Sequence, residues 1–151
     1  MIWNKVSKGV TPLGQNLDLT FCSELLNVKK VVRKILSFLQ SSVPSLTPED
    51  QSDLKLVFSE LLYNAVVHGN KNDANKNVRL NVRIEDGMVM GWVADEGSGF
   101  DYAGLLEHID DEDLYSESGR GIRLVYTLTD QLVFNISGNT IRFCKRVAAN
   151  G

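Results

Sequence analysis

Three short motifs, in a fixed order, hold the residues of this chain best suited to chemistry. Glu60 and Asn64 stand four residues apart in a segment with helical periodicity, so they project from one face a turn apart. Asp95, Gly97 and Gly99 end an alternating apolar stretch, and Gly119-Arg120-Gly121 opens a second amphipathic segment. A glutamate half sheltered at the flank of an apolar stripe can take a proton from a hydroxyl or water, because partial burial lifts its pKa. The asparagine beside it offers a neutral, hard carbonyl oxygen of the kind Mg²⁺ accepts while keeping much of its water. An ionised carboxylate only accepts hydrogen bonds, so Asp95 matches a donor such as the exocyclic amine of adenine. Gly97 and Gly99 permit positive φ and let a flat base approach with no Cβ in the way. Backbone amides at a helix start attract phosphate oxygens. Gly119 and Gly121 let the chain wrap closely around them, and Arg120 can pair with a phosphate or reach a partner protein.

Each motif alone has an ordinary alternative. Glu60 and Asn64 can be two surface residues with no shared task. Asp95 to Gly99 can be a strand-ending turn, and Gly119 to Gly121 a hinge. Their succession within 151 residues assembles a base, a metal ligand, a purine reader and a phosphate cradle. Those are the parts of an ATP site.

The elements that must position these residues are readable from periodicity. Leu17 to Cys22 alternates apolar and polar residues as a strand does. Val28, Val31, Val32, Ile35, Leu36 and Leu39 recur at helical spacing, with Lys29, Lys30, Arg33 and Lys34 on the other face. Thr47-Pro48-Glu49-Asp50 supplies an N-cap hydroxyl, a proline at the first helical position and acids in the first turn. The helix it starts runs to His68 and ends at Gly69, with Leu54, Val57, Phe58, Leu61, Leu62, Ala65 and Val66 as its buried stripe. Val78 to Glu85 and Met88 to Ala94 form a hairpin around Asp86-Gly87. A polar, acidic stretch follows from Asp101 to Ser118. A helix from Gly121 to about Thr129 then precedes two strands, Leu132 to Ile136 and Thr140 to Val147. Strands with one polar face, interleaved with amphipathic helices, predict a two-layer α+β sandwich. Its mixed, mostly antiparallel sheet is covered by helices on one side only.

Composition bounds the rest. The length fits one domain, residues 1–151, able to bury roughly two-thirds of its unfolded surface. Hydrophobic residues make up 43% and charged residues 23%, as in ordinary soluble globular proteins. A formal charge of -3 argues against general nucleic-acid binding. No apolar run approaches the ~20 residues of a membrane span, and no signal-peptide core follows Met1, so a cytoplasmic address is expected. Cys22 and Cys144 show no metal spacing and read as buried, reduced thiols, with a disulfide left open.

The series Ser59-Glu60-Leu61-Leu62-Tyr63-Asn64-Ala65-Val66-Val67-His68-Gly69, then Asp95-Glu96-Gly97-Ser98-Gly99-Phe100, then Ser118-Gly119-Arg120-Gly121-Ile122, resembles the N, G1 and G2 boxes of the GHKL (Bergerat-fold) ATPases. Within that superfamily the chain is most similar to the bacterial anti-sigma factor serine/threonine kinases, and the likeness runs from Leu17 to Val147. The resemblance implies a histidine-kinase-like ATPase fold with ATP and Mg²⁺ as cofactors. Position by position, it implies Glu60 as general base, Asn64 as the Mg²⁺ ligand and Asp95 as the adenine reader. Gly97 and Gly99 then shape the base pocket, Gly119, Arg120 and Gly121 meet the phosphates, and Thr140 is the terminal-strand threonine that lines the pocket. The partners implied are an anti-anti-sigma (STAS) protein that accepts the phosphoryl group on serine, a sigma factor, and a second copy in a homodimer.

One departure concerns the segment between Asp101 and Ser118, the mobile ATP lid of the family. It carries Glu107, Asp110, Asp111, Glu112, Asp113 and Glu117 and no Lys or Arg. An acidic lid repels a polyphosphate unless Mg²⁺ or Arg120 offsets it, although a solvated loop explains the charge as well. The alternative reading is therefore a non-catalytic, ATP-gated binding module of the same fold. The catalytic piece of a histidine kinase fits less well, because no helical phosphoacceptor domain is present. His68 can rim the pocket or serve as a dipole partner at a helix C-terminus. The basic face of the first helix can dock an acidic partner or simply be solvated.

Overall fold

The computed structural model of the protein describes residues 15–99, 117–135 and 137–147, with the backbone alone for residues 117–120. Strand β1 (Gln15–Cys22) leads into helix α1 (Leu25–Ser42), which is followed by helix α2 (Pro48–Tyr63). The hairpin of β2 (Asn77–Glu85) and β3 (Met88–Ala94) comes next, then α3 (Glu117–Leu128), β4 (Gln131–Phe134) and β5 (Thr140–Arg146). The five strands form one sheet in the order β1-β2-β3-β5-β4, and all four ladders are antiparallel. The expected sheet was mixed and mostly antiparallel. Here every neighbouring pair within the described residues runs in opposite directions.

Alternation sorts the strand residues into two faces. Val78, Leu80, Val82 and Ile84 of β2 join Val89 and Val93 of β3 and Ile141 and Phe143 of β5 beneath the helices. From above, α1 contributes Val28, Val31, Val32, Ile35 and Leu39, and α2 contributes Leu54, Val57, Phe58, Leu61 and Leu62. Helix α2 lies between α1 and α3, in contact with both. It approaches the sheet closely over Gly91, where the rings of Phe58 and Phe143 meet edge to face with centroids 5.1 Å apart.

The start of α2 follows its sequence signals. Thr47 Oγ1 accepts a hydrogen bond from the Asp50 N–H at 3.1 Å, Pro48 opens the helix, and Glu49 and Asp50 occupy its first turn. The hairpin turn is likewise as its residues require, with positive φ at both Asp86 (52°) and Gly87 (75°). The end of α2 differs from expectation. The α-helix stops at Tyr63, and Asn64–Gly69 continues as a π-helical turn. Its wider winding shows in the Asn70 N–H, which bonds to the Ala65 carbonyl five residues back at 2.8 Å. Helix α3 begins at Glu117, ahead of the glycine motif, so Gly119 and Gly121 sit inside its first turns. Both cysteines are free thiols on different strands, Cys22 exposed on β1 and Cys144 half-buried on β5.

Candidate functional site

Everything at the site is built on the C-terminal half of α2 and its π-helical extension. Glu60, half-buried, turns toward α3. A methyl group at Gly121 would overlap its carboxylate, so the α3 backbone comes close to Glu60 here. Glu60 and Gly121 also border a cavity of about 840 Å³ between the three helices. Val28, Val32 and Leu36 give this cavity an apolar wall, and Lys29, Arg33 and Lys55 bring cations to it.

Asn64, one turn on from Glu60, is 4% exposed, and neither its Oδ1 nor its Nδ2 has a hydrogen-bond partner. A buried amide with both ends unsatisfied is costly and rare in a folded protein. Its position at the start of the π-helical turn, a form of helix common at functional sites, suits a side chain kept for a ligand. A hard oxygen donor in this setting fits Mg²⁺. No cluster of three or more His, Cys, Asp or Glu able to hold a metal occurs among the described residues.

Asp95 lies across from the same helix. A methyl group at Gly69 would strike its carboxylate, and one at Gly97 would strike the Gly69 carbonyl, so the loop rests directly on the end of the π-helical turn. Oδ1 of Asp95 accepts the Gly97 N–H at 2.8 Å, and its own N–H donates to the Asn139 carbonyl at 2.9 Å. Burial pushes the carboxyl above its ordinary range, opposed by the Gly97 hydrogen bond and by the charge of Lys76. Leu61, Ala65, Val93, Asn139 and Ile141 complete a small apolar recess beside Asp95. Gly99, at φ 101°, packs against the Ser137 carbonyl with no room for a Cβ.

The structure places the expected residues that it describes in two groups on either side of α2 and its π-helical extension. Asp95, Gly97 and Gly99 stand on the sheet side, Glu60 and Gly121 on the α3 side, and Asn64 in the helical segment between. Thr140 is the exception. It pairs with Ala94 and shares strand parity with Arg142, whereas Ile141 and Phe143 point to the core. The residue of this strand end that reaches the recess is Asn139, whose Nδ2 also approaches the Gly97 carbonyl at 3.4 Å. Thr140 does not border this small recess, and Asn139, the residue just before β5, does.

Two more residues were not singled out for a site role by sequence reasoning. Gly69 reads as a helix stop but also gives Asp95 its seat. Asn70 is 1% exposed, with its side chain bonded to the backbone at Asn77 and Glu96. No periodicity marks either; only their place next to the glutamate–asparagine motif does. His68 packs edge-on against Tyr63, with a buried Nε2 that lacks a partner. The Arg120 side chain, His108 and the acidic stretch up to residue 116 lie outside the described residues.

Residues 21–145 match the family model of the histidine kinase-like ATPase domain. The chain is 34% identical to the serine-protein kinase RsbW of Bacillus subtilis (strain 168) over 122 residues, 76% of each chain. It is 32% identical to the anti-sigma F factor of Geobacillus thermodenitrificans (strain NG80-2) over 113 residues, 68% of this chain and 73% of that one. A serine-protein kinase RsbW of Staphylococcus epidermidis is 33% identical over 107 residues, 66% and 67% of the two chains. With the matched segment spanning all three motifs, this chain belongs to the histidine kinase-like ATPase family.

Proposed function

We propose that this chain is an ATP-dependent serine/threonine kinase of the anti-sigma factor type. It binds ATP with Mg²⁺, phosphorylates an anti-anti-sigma (STAS) protein and sequesters a sigma factor, acting in the cytoplasm as a homodimer. The observation that carries this reading is the seating of the Glu60 carboxylate against Gly121 in the second turn of α3. It sets a proton acceptor one turn from the free backbone amides at the helix start, which attract phosphate.

In this reading the adenine amine donates to Asp95, beside Leu61, Ala65 and Ile141. The triphosphate runs along the π-helical turn toward the first turn of α3. Asn64 holds Mg²⁺, which offsets phosphate charge when bound. Glu60 takes the proton of the acceptor hydroxyl as its oxygen bonds to the γ-phosphorus, the β–γ bridging P–O bond breaks, and ADP leaves. Positioning and charge neutralisation carry most of such a transfer, so a moderate base suffices. The large cavity leads to Glu60 past Lys29, Arg33 and Lys55, a route that speeds the approach of an acidic acceptor protein.

Labelled ATP and a cognate STAS protein test the proposal. Glu60→Gln should bind Mg²⁺·ATP within about twofold of the parent chain, yet transfer label at least ~100-fold more slowly, the lower end of what a general base contributes. Normal labelling by Glu60→Gln would overturn the base assignment. A parent chain that binds ATP and its partner but leaves no label on protein would support the gated binding module instead.

A further inference from the structure

We propose that Asn70 is a positioning residue for the base-reading carboxylate, acting through a closed ring of hydrogen bonds with Glu96 and Asn77. The inference rests on the reading of Asp95 as the group that recognises adenine. Asn70 Oδ1 accepts the Glu96 N–H at 2.7 Å, and Asn70 Nδ2 donates to the Asn77 carbonyl at 2.9 Å. The ring closes where a Glu96 side-chain oxygen accepts the Asn77 N–H. Donor and acceptor ends of the Asn70 amide are therefore both committed, and only one orientation satisfies them.

The ring joins three elements that have to keep register for the site to exist. Asn70 is the residue just after the π-helical turn, Asn77 is the first residue of β2, and Glu96 follows Asp95. The main chain of Asn70 is equally committed, since its N–H donates to Ala65 and its carbonyl accepts from Asp73 at 3.1 Å. Asn70 is thus a fixed point, and it grips the backbone one residue beyond Asp95. Close packing does the rest. The backbone at Gly69 and Gly97 meets the Asp95 loop with no room for a Cβ, so a small shift of the loop moves the carboxylate against the helix end. Asparagine is suited to the task because its short, planar amide reaches two backbone groups at once, which neither alanine nor a longer side chain reproduces here.

The test compares equilibrium binding of Mg²⁺·ATP and Mg²⁺·ITP to the full chain. Inosine lacks the exocyclic amine that Asp95 would accept from, so the ATP:ITP affinity ratio reports Asp95 placement. A general loss of stability lowers both affinities together and leaves the ratio unchanged. Asn70→Ala should weaken ATP binding about tenfold while changing ITP binding less than about twofold, the scale of one lost hydrogen bond to a charged group. Glu96 is exposed, so Glu96→Ala should fold even if Asn70→Ala does not. It should lower the ratio in the same direction, and Glu96→Gln, which keeps an acceptor for Asn77, should restore it. A parental ratio in both alanine variants, whether the two affinities hold or fall in parallel, overturns the proposal. If the parent chain itself does not prefer ATP to ITP, the Asp95 assignment fails and the positioning role with it.

Discussion

Asp95 is a carboxylate held where a carboxylate is not at ease. Burial raises its pKa above the ordinary 3.8, and the direction fixes how pH acts on the fold. The native state holds the proton more tightly than the unfolded chain, so stability falls as pH rises from about 3.8 through the folded pKa and then levels. Asp95→Asn removes that titration, and Oδ1 of asparagine can still accept the Gly97 N–H. The variant should therefore melt at a higher temperature than the parent chain at neutral pH and lack this falling limb. Nucleotide binding should respond in the opposite sense. Once one amide end is spent on Gly97, asparagine offers an N–H where the adenine amine needs an acceptor. ATP affinity should drop about ten- to a hundredfold, as for a lost hydrogen bond to a charged group. Calorimetric binding and thermal melts on the same samples decide it, and a variant that is less stable yet binds ATP normally would contradict both halves.

At the scale of elements, the distance between α2 and the sheet governs whether the two halves of the site face each other. Gly91 sets that distance. A Cβ there would lie 2.6 Å from Cε1 of Phe143 and 3.1 Å from Cε1 of Phe58, two fully buried rings. Gly91→Ala should destabilise the fold by about 1–3 kcal/mol, the cost of overpacking a close contact. Chemical denaturation measures this directly, and no change in midpoint would mean that the rings yield freely. Much of this layer was legible beforehand. Alternation located β1 and β2, Asp86-Gly87 located the hairpin and with it β3, and the 3.6-residue spacing located the three helices. The π-helical turn was hidden, because Ala65 and Val66 continue the apolar stripe whichever way the helix winds. Side-chain locks such as Asn70 also leave no periodic trace, since their partners are backbone groups distant in sequence. The contact of Asn139 with the Asp95 recess was hidden too, because residue 139 lies in the bend before β5, where strand alternation does not reach.

The whole molecule divides its tasks between a packed sheet and a helix end that is built but left unsatisfied. Asn64 is the clearest sign, a buried amide whose two polar atoms have no partner while the hydrophobic residues around it, Leu61, Leu62, Ala65 and Val66, are fully packed. A fold that tolerates such a group recovers the loss when a ligand meets it, so binding and global stability must be linked. At a concentration a hundred times its dissociation constant, a ligand specific to the native state adds about 2.7 kcal/mol. For a chain of this length that is on the order of 5–10 °C in melting temperature. Mg²⁺·ATP should produce a rise of that size in the parent chain, and EDTA should remove most of it by stripping the metal. In Asn64→Ala the unliganded protein should lose little stability, because the substitution deletes an unsatisfied amide, but the metal-dependent part of the rise should vanish. Glu60→Gln should keep the full rise, because the base takes part in transfer rather than in holding the nucleotide. The decisive comparison is ATP with and without EDTA in these three proteins. If Asn64→Ala shows the same EDTA-sensitive rise as the parent, the metal is held elsewhere and the buried amide has some other purpose.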